Sequence, residues 1–80
     1  MVDAGEIERL LRGALPALDA LVVEGGDGRY QVAAVGACFD GLNRVKRQQL
    51  VYGAIAHLIR DGSVHAVTIL ARTAAEQAGT

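Results

Sequence analysis

Residues 36–53 read Gly36-Ala-Cys-Phe-Asp-Gly-Leu-Asn-Arg-Val-Lys-Arg-Gln-Gln-Leu-Val-Tyr-Gly53, and they decide the fold. An apolar strand ends here, Asp40 and Gly41 favour a turn, and Asn43 can cap the helix that follows through its side-chain oxygen. Apolar residues then recur at helical spacing as far as Arg60, which predicts a helical face that packs on a sheet. These residues are Val45, Val51, Tyr52, Ile55, Leu58 and Ile59.

The start of this helix is unusually basic. Three of the eight lysine and arginine residues lie there, namely Arg44, Lys46 and Arg47. The positive end of the helix dipole normally favours acidic side chains by about 0.3 to 1 kcal/mol each. The sequence therefore either tolerates a small penalty or presents a positive patch to a partner.

A glycine-rich cluster upstream predicts a β-hairpin. Two β-rich runs, residues 21–23 and 29–35, flank the Gly/Asp cluster at residues 24–28. Gly25 and Gly28 form a G-x-x-G pattern, which in KH domains clamps nucleic-acid backbones. That pattern joins two helices in KH domains, whereas here it joins two strands, so an ordinary turn is predicted.

One helix at the beginning and one strand and one helix at the end complete the predicted order. A capping arrangement and helical spacing predict a helix from about Asp3 to Ala14, ended by Pro16. Residues 64–71 are rich in β-branched side chains and predict the last strand, with His65 at the rim of an apolar face. Residues 73–76 form a capping box that opens a short helix. The prediction is one α+β domain over residues 1–80, an α-β-β-α-β-α sandwich with its helices on one face of a three-stranded sheet.

Composition excludes several classes of protein. The single cysteine excludes an internal disulfide and any C-x-x-C motif, and the net charge of −1 gives no overall attraction to nucleic acid. No apolar run approaches the ~18 residues of a membrane span, and the first residues lack a basic signal-peptide start. No paired carboxylates, H-E-x-x-H or phosphate-loop pattern is present. We expect a soluble, cytoplasmic protein that is not an enzyme and does not bind a membrane.

Three side chains could carry chemistry. His57 lies within the second helix and is interpreted as an ordinary helix-surface or boundary residue, and Cys38 as a small hydrophobe at a strand end. For His65 two interpretations remain open. It is either a partly buried histidine satisfied by backbone, or a metal ligand whose companion ligands come from another molecule.

The combination of motifs resembles the BolA family, and within it the short bacterial IbaG/YrbA-type members. The similarity extends over essentially the whole chain in order and spacing. The residues that carry it are Gln31-Val-Ala-Ala-Val-Gly36, Phe39-Asp-Gly41, Arg44-Val-Lys-Arg-Gln-Gln49, Val51-Tyr-Gly53, Val64-His-Ala-Val67 and Thr73-Ala-Ala-Glu76.

This resemblance implies a class II KH-like fold and a non-enzymatic role. BolA proteins pair with monothiol glutaredoxins and share a glutathione-bound [2Fe-2S] cluster with them. By resemblance, His65 is the cluster ligand, and the region from Phe39 to Arg47, with Gly41 among its members, is the partner surface. The chain is then expected to be a monomer alone or a heterodimer with a glutaredoxin.

One departure from the family pattern concerns the second ligand. Related sequences often carry histidine or cysteine in the loop between the first two strands, and this chain has Arg29 at about that place. A guanidinium that stays protonated cannot ligate iron. Asp27 could substitute as an oxygen ligand, or Cys38 if the fold brings it near, and Arg29 could instead pair with an acidic group on glutathione or glutaredoxin.

A second function is also implied by the resemblance. Some BolA relatives are DNA-binding transcription regulators, and the residues that would serve here are Arg44, Lys46 and Arg47. Three phosphate contacts would give a salt slope of about −3 in log-log terms, which corresponds to weak, mostly nonspecific binding. The edge of a three-stranded sheet also leaves self-association open.

Overall fold

The structure is a computed structural model that describes residues 2–15 and 17–79. The predicted order of elements is confirmed, and the proposed helix stop at Pro16 lies outside the described residues. The elements are α1 (Ala4–Ala14), β1 (Leu18–Gly26), β2 (Arg29–Gly36), a single 3-10 turn (Ala37–Phe39), α2 (Arg44–Arg60), β3 (Ala66–Arg72) and α3 (Ala74–Gln77).

The sheet has the order β1-β2-β3, so that β2 is central. β1 and β2 are antiparallel, with Gly26 opposite Arg29. β2 and β3 are parallel, with Arg29 opposite Ala66 and Val35 opposite Arg72. The hairpin tip and the start of β3 therefore meet at one end of the sheet, and the ends of β2 and β3 meet at the other.

The hairpin is tighter and longer than the sequence predicted. Only Asp27 and Gly28 form the turn, with φ values of 55° and 82°, as in the type I′ turns that match the twist of antiparallel strands. β1 consequently runs through Gly25 and Gly26. A Cβ at Gly25 would lie 2.2 Å from the Arg29 carbonyl oxygen, so this close strand approach requires glycine. Part of the cluster predicted to form the hairpin turn therefore belongs to the strand pairing, because backbone hydrogen bonds need no side chain.

Helix α2 begins as predicted but buries only part of its apolar surface. The Asn43 side chain accepts a hydrogen bond from the Lys46 backbone N–H at 2.9 Å. The buried positions are Val51, Ile55 and Leu58. Val45 and Tyr52 were predicted to join this face, but they are 62% and 42% exposed. They lie seven residues apart on a neighbouring strip of the helix, at the margin of a sheet only three strands wide, and border a cavity beside β3.

The core lies between the sheet and the helices α1 and α2. Alternate residues of β2 are buried, and alternate residues of β3 are half-buried, as the predicted alternation requires. β3 begins at Ala66, two residues later than predicted, although Val64 is itself buried. The most deeply buried side chains are Phe39, Ile7, Leu11, Ile55, Val32, Val51 and Val64.

The short helix α3 is capped as predicted. The Glu76 backbone N–H donates to Thr73 Oγ1, and the Thr73 N–H donates to Glu76 Oε1 at 2.8 Å. This reciprocal capping box holds a helix of only four residues. Across residues 2–15 and 17–79, every helix is too short or too polar to cross a membrane.

Candidate functional site

The hairpin tip and the start of β3 form a corner made of Asp27, Gly28, Arg29 and His65. The parallel register of β2 and β3 brings them together. The backbone N–H groups of His65 and Ala66 both donate to the Gly28 carbonyl, at 2.7 and 3.1 Å. This hairpin-histidine corner is therefore fixed by backbone hydrogen bonds, although three of its four residues are exposed.

The imidazole of His65 lies directly over Gly28. A Cβ at residue 28 would lie only 2.3 Å from His65 Cδ2. Among the described residues the ring has no hydrogen-bond or ion-pair partner. The interpretation of His65 as a side chain satisfied by backbone is therefore wrong. The residue is exposed and its ring is unpaired among the described residues, so it is available to a ligand or a partner, while packing on Gly28 limits the ring's position.

Gly28→Ala is expected to displace the imidazole and to destabilise the hairpin. Alanine at a positive φ costs about 1 to 2 kcal/mol, and the new methyl group would occupy the ring's place. Gly62→Ala is the matched control, because Gly62 has φ +84° but nothing within 4 Å of its would-be Cβ. Both variants should lose similar free energy of unfolding, and only Gly28→Ala should shift the NMR signals of the His65 ring. Equal ring shifts in both would contradict this packing.

The corner alone offers few metal ligands. Asp27 and Arg29 are exposed on either side of Gly28, and Asp27 is the only carboxylate of the corner. No cluster of three or more histidine, cysteine, aspartate or glutamate side chains suited to a metal exists in the described parts of the chain. A metal cluster at His65 would therefore need most of its ligands from another molecule.

Cys38 does not meet the condition set for it as a ligand. It follows β2, at the opposite end of the strand from His65. Eight strand residues at about 3.3 Å each separate the two ends by roughly 25 Å. Burial, with smaller contributions from Asp40 and Asp19, also raises the pKa of the Cys38 thiol above its usual value, and this disfavours the thiolate that binds metals.

The predicted partner surface from Phe39 to Arg47 is only partly a surface. Phe39 is fully buried, and its assignment to this surface is corrected because the 3-10 turn directs the ring into the core. Gly41 is exposed at φ +76°, as a tight turn requires. Arg44 and Lys46 are exposed.

Arg47 is a structural residue rather than a free member of the basic patch. Its Nε donates to the Leu42 carbonyl at 2.8 Å, and its Nη1 donates to Glu76 Oε1 at 2.6 Å and to the Ala71 carbonyl at 3.4 Å. Its side chain is only 16% exposed. The sequence could not reveal this contact because Arg47 and Glu76 are 29 residues apart.

The contact between Arg47 and Glu76 is expected to survive moderate acid. The Arg47 hydrogen bond, aided by the Thr73 backbone, lowers the pKa of Glu76 from 4.5 to about 2. A carboxyl whose pKa is lowered on folding stabilises the folded state fully when the pH is above its ordinary pKa. This stabilisation is lost as the pH falls from about 4.5 toward 2. The protection of the α3 amides against hydrogen exchange should therefore fall as the pH is lowered from about 4.5 toward 2. In Glu76→Gln this protection should not depend on pH in that range. Loss of protection in the wild type already above pH 5 would contradict the assignment.

Sequence reasoning missed a groove between α2 and β3. It consists of two adjoining cavities of about 740 and 360 Å³, which share Gln48 and Ile69. We call it the β3 groove. Its signal in the sequence was the pair Val45 and Tyr52, whose seven-residue spacing sets them apart from the buried strip. The residues that define it are Arg44, Val45, Gln48, Tyr52, Val67, Ile69 and Arg72.

The sequence and the fold of this chain are similar to those of known proteins. The family model described as BolA-like protein matches residues 12–76. The acid stress protein IbaG of Escherichia coli K12 is 46% identical over 77 residues, which cover 96% of this chain and 90% of that protein. A Bol-like protein from Babesia bovis superimposes with a TM-score of 0.84 at 32% identity, over 98% of this chain and 92% of the other. BolA1 from Arabidopsis thaliana gives a TM-score of 0.81 at 27% identity, over 95% and 98%.

These matches cover nearly all of the described elements, including β3 and the turn that carries His65. The α-β-β-α-β-α order and the sheet that the sequence predicted are those of solved BolA structures. The chain therefore belongs to the BolA family, as an IbaG-like member.

Proposed function

We propose that this chain is a non-enzymatic partner of a monothiol glutaredoxin in iron-sulfur cluster trafficking or regulation. In this proposal it shares a glutathione-bound [2Fe-2S] cluster with the glutaredoxin, and His65 is the ligand that this chain supplies. The observation that carries the proposal is the exposed imidazole of His65, which packs on Gly28 and has no partner among the described residues.

The surroundings of His65 support a shared cluster rather than a resident one. A histidine with at most one nearby carboxylate cannot hold an iron-sulfur cluster, which normally takes four protein or small-molecule ligands. Thiolates from glutaredoxin and glutathione would supply the remainder. A nitrogen ligand in place of a thiolate raises the cluster's reduction potential, which suits an exchangeable or regulatory cluster.

Neighbouring residues have distinct roles in the proposal. The imidazole packs on Gly28, and the Gly28 carbonyl fixes the backbone of residues 65 and 66 by accepting two hydrogen bonds. Arg29 lies at the same corner and remains cationic, so that it is suited to a carboxylate of glutathione or to an acidic group on the partner. Asp27 is the candidate for a further oxygen ligand. Neither residue is buried, so both can reach a partner that docks at this end of the sheet.

Anaerobic reconstitution tests the proposal. A monothiol glutaredoxin, iron, sulfide and glutathione are combined with and without this chain, and the products are followed by size-exclusion chromatography, visible absorption and circular dichroism. We expect a heterodimer that carries a cluster whose spectrum differs from that of the glutaredoxin alone. An unchanged spectrum and separate elution of the two proteins would overturn the proposal.

The alternative, a nucleic-acid-binding regulator, has weaker support. Of its three basic residues, Arg47 is engaged with Leu42, Ala71 and Glu76. Arg44 and Lys46 remain exposed, and two phosphate contacts correspond to a salt slope of only about −1.8. The glycines of the hairpin shape a turn between strands, which differs from the helix-joining loop of KH domains.

A further inference from the structure

We propose that the β3 groove binds an extended segment of a partner protein that pairs with β3 and has acidic residues at one end. This inference goes beyond the proposed function, because the groove lies along β3 and its occupation requires neither iron nor His65. Three features support it, namely an open strand edge, an apolar cavity beside that edge and a cationic end.

The open edge is that of β3. Within residues 2–15 and 17–79, β3 pairs with no strand other than β2, and the Ala71 carbonyl is engaged by Arg47 Nη1 at 3.4 Å. The larger cavity is lined by four consecutive strand residues, 69 to 72. Because consecutive side chains point to opposite faces, a cavity that contacts all four follows the edge of the strand rather than one face. An added strand could therefore reach the backbone of β3, as in peptide recognition by β-strand addition.

The apolar part of the groove lies between α2 and the first half of β3. Val45 and Tyr52 form its wall and are 62% and 42% exposed. Val67 and Ile69 form its floor, and both are half-buried. An extended strand directs every second side chain toward one face, so one or two apolar side chains of the added strand would enter this cavity.

The cationic end determines the charge of the occupant. Arg44 and Arg72 line the larger cavity, and both are exposed. Of the lining residues that the structure describes, Glu76 alone has an acidic side chain, and it is already paired with Arg47. This leaves two positive charges beside the end of β3. Charge complementarity therefore favours acidic residues, or a terminal carboxylate, on the bound segment.

The length of β3 determines how long the bound segment of the partner would be. β3 has seven residues, or about 23 Å at 3.3 Å per residue. A segment of six to eight residues would cover the edge, with its apolar side chains near Val67 and its acidic end near Arg72.

A synthetic peptide tests this proposal on the intact protein without iron. The probe is an acetylated eight-residue peptide of alternating threonine and valine that ends in two glutamates. Two control peptides carry lysines in place of the glutamates or a central proline, which removes a backbone donor. Binding is followed through the amide NMR signals of the ¹⁵N-labelled protein during titration.

We expect the signals of β3 and of the first half of α2 to shift. The proline peptide should not bind, and the lysine peptide should bind more weakly, with a difference that shrinks as salt is added. Val45→Ser should weaken binding about tenfold through the lost apolar contact. Val22→Ser is the matched control, because Val22 is 53% exposed on the uncovered face of the sheet, and it should leave binding unchanged.

Other outcomes would overturn the proposal. The first is absence of shifts for all three peptides up to about 1 mM. The second is a map of shifts centred on β1 or on the uncovered face of the sheet. The third is concentration-dependent dimerisation of the wild type that Val45→Ser abolishes, since the occupant would then be a second copy of this chain.

Discussion

Phe39→Ala is expected to lower the free energy of unfolding by about 3 to 5 kcal/mol. The Phe39 ring is fully buried in the core between the sheet and the helices, and removing such a ring costs about 3 to 5 kcal/mol. A chain of 80 residues has a total stability of about 4 to 12 kcal/mol. The loss therefore consumes a large share of the stability, and thermal and urea unfolding followed by circular dichroism will measure it.

The control for Phe39→Ala is Val22→Ala. Val22 is half exposed on the uncovered face of the sheet, so its truncation should change the free energy of unfolding by less than about 0.5 kcal/mol. If Phe39→Ala kept wild-type stability but weakened binding to a glutaredoxin, Phe39 would belong to the partner surface as the sequence suggested. Its burial predicts the reverse.

His65→Ala is expected to abolish the shared cluster while preserving the fold. The imidazole is exposed and has no hydrogen-bond partner among the described residues. Its removal should therefore change stability by less than about 0.5 kcal/mol. In the reconstitution mixture the visible circular dichroism should revert to that of the glutaredoxin alone. Because this chain supplies so few ligands, removal of the His65 ligand should lead to nearly complete loss of the shared cluster.

His57→Ala provides a matched control for this experiment. His57 is also an exposed histidine, but it lies in the last turns of α2 and is not one of the residues of the hairpin-histidine corner. The His57→Ala complex should have the wild-type spectrum. Equal effects of the two substitutions, or no effect of His65→Ala, would remove His65 from the cluster and would shift attention to Asp27.

The sequence predicted most of the fold because local signals were strong. Asn43 and Thr73 cap their helices as expected, and the alternation in β3 matches its burial. The bounds of an element were predicted wrongly where a glycine-rich strand end looks like a glycine-rich turn. The glycine-rich cluster at residues 24–28 predicts the turn of the hairpin, yet Gly25 and Gly26 continue β1 because the pairing of the two strands requires their close approach.

The site was less predictable because it depends on contacts distant in sequence. The family resemblance drew attention to His65, but its packing on Gly28 follows from a parallel pairing that no local pattern specifies. The sequence places Arg47 in the basic patch because Arg44 and Lys46 lie beside it at the start of the helix. Its burial against Glu76 depends on where α3 folds back. Val45 and Tyr52 were assigned to the core because periodicity cannot indicate how wide the sheet is.

Direct detection of a nitrogen ligand tests the central claim most directly. This chain is labelled with ¹⁵N-histidine, combined with unlabelled glutaredoxin and glutathione, and its reconstituted cluster is reduced for pulsed electron paramagnetic resonance. We predict a strongly coupled ¹⁵N nucleus in the wild type and in His57→Ala, and none in His65→Ala. A cluster that forms in the heterodimer without any coupled ¹⁵N nucleus would contradict the account.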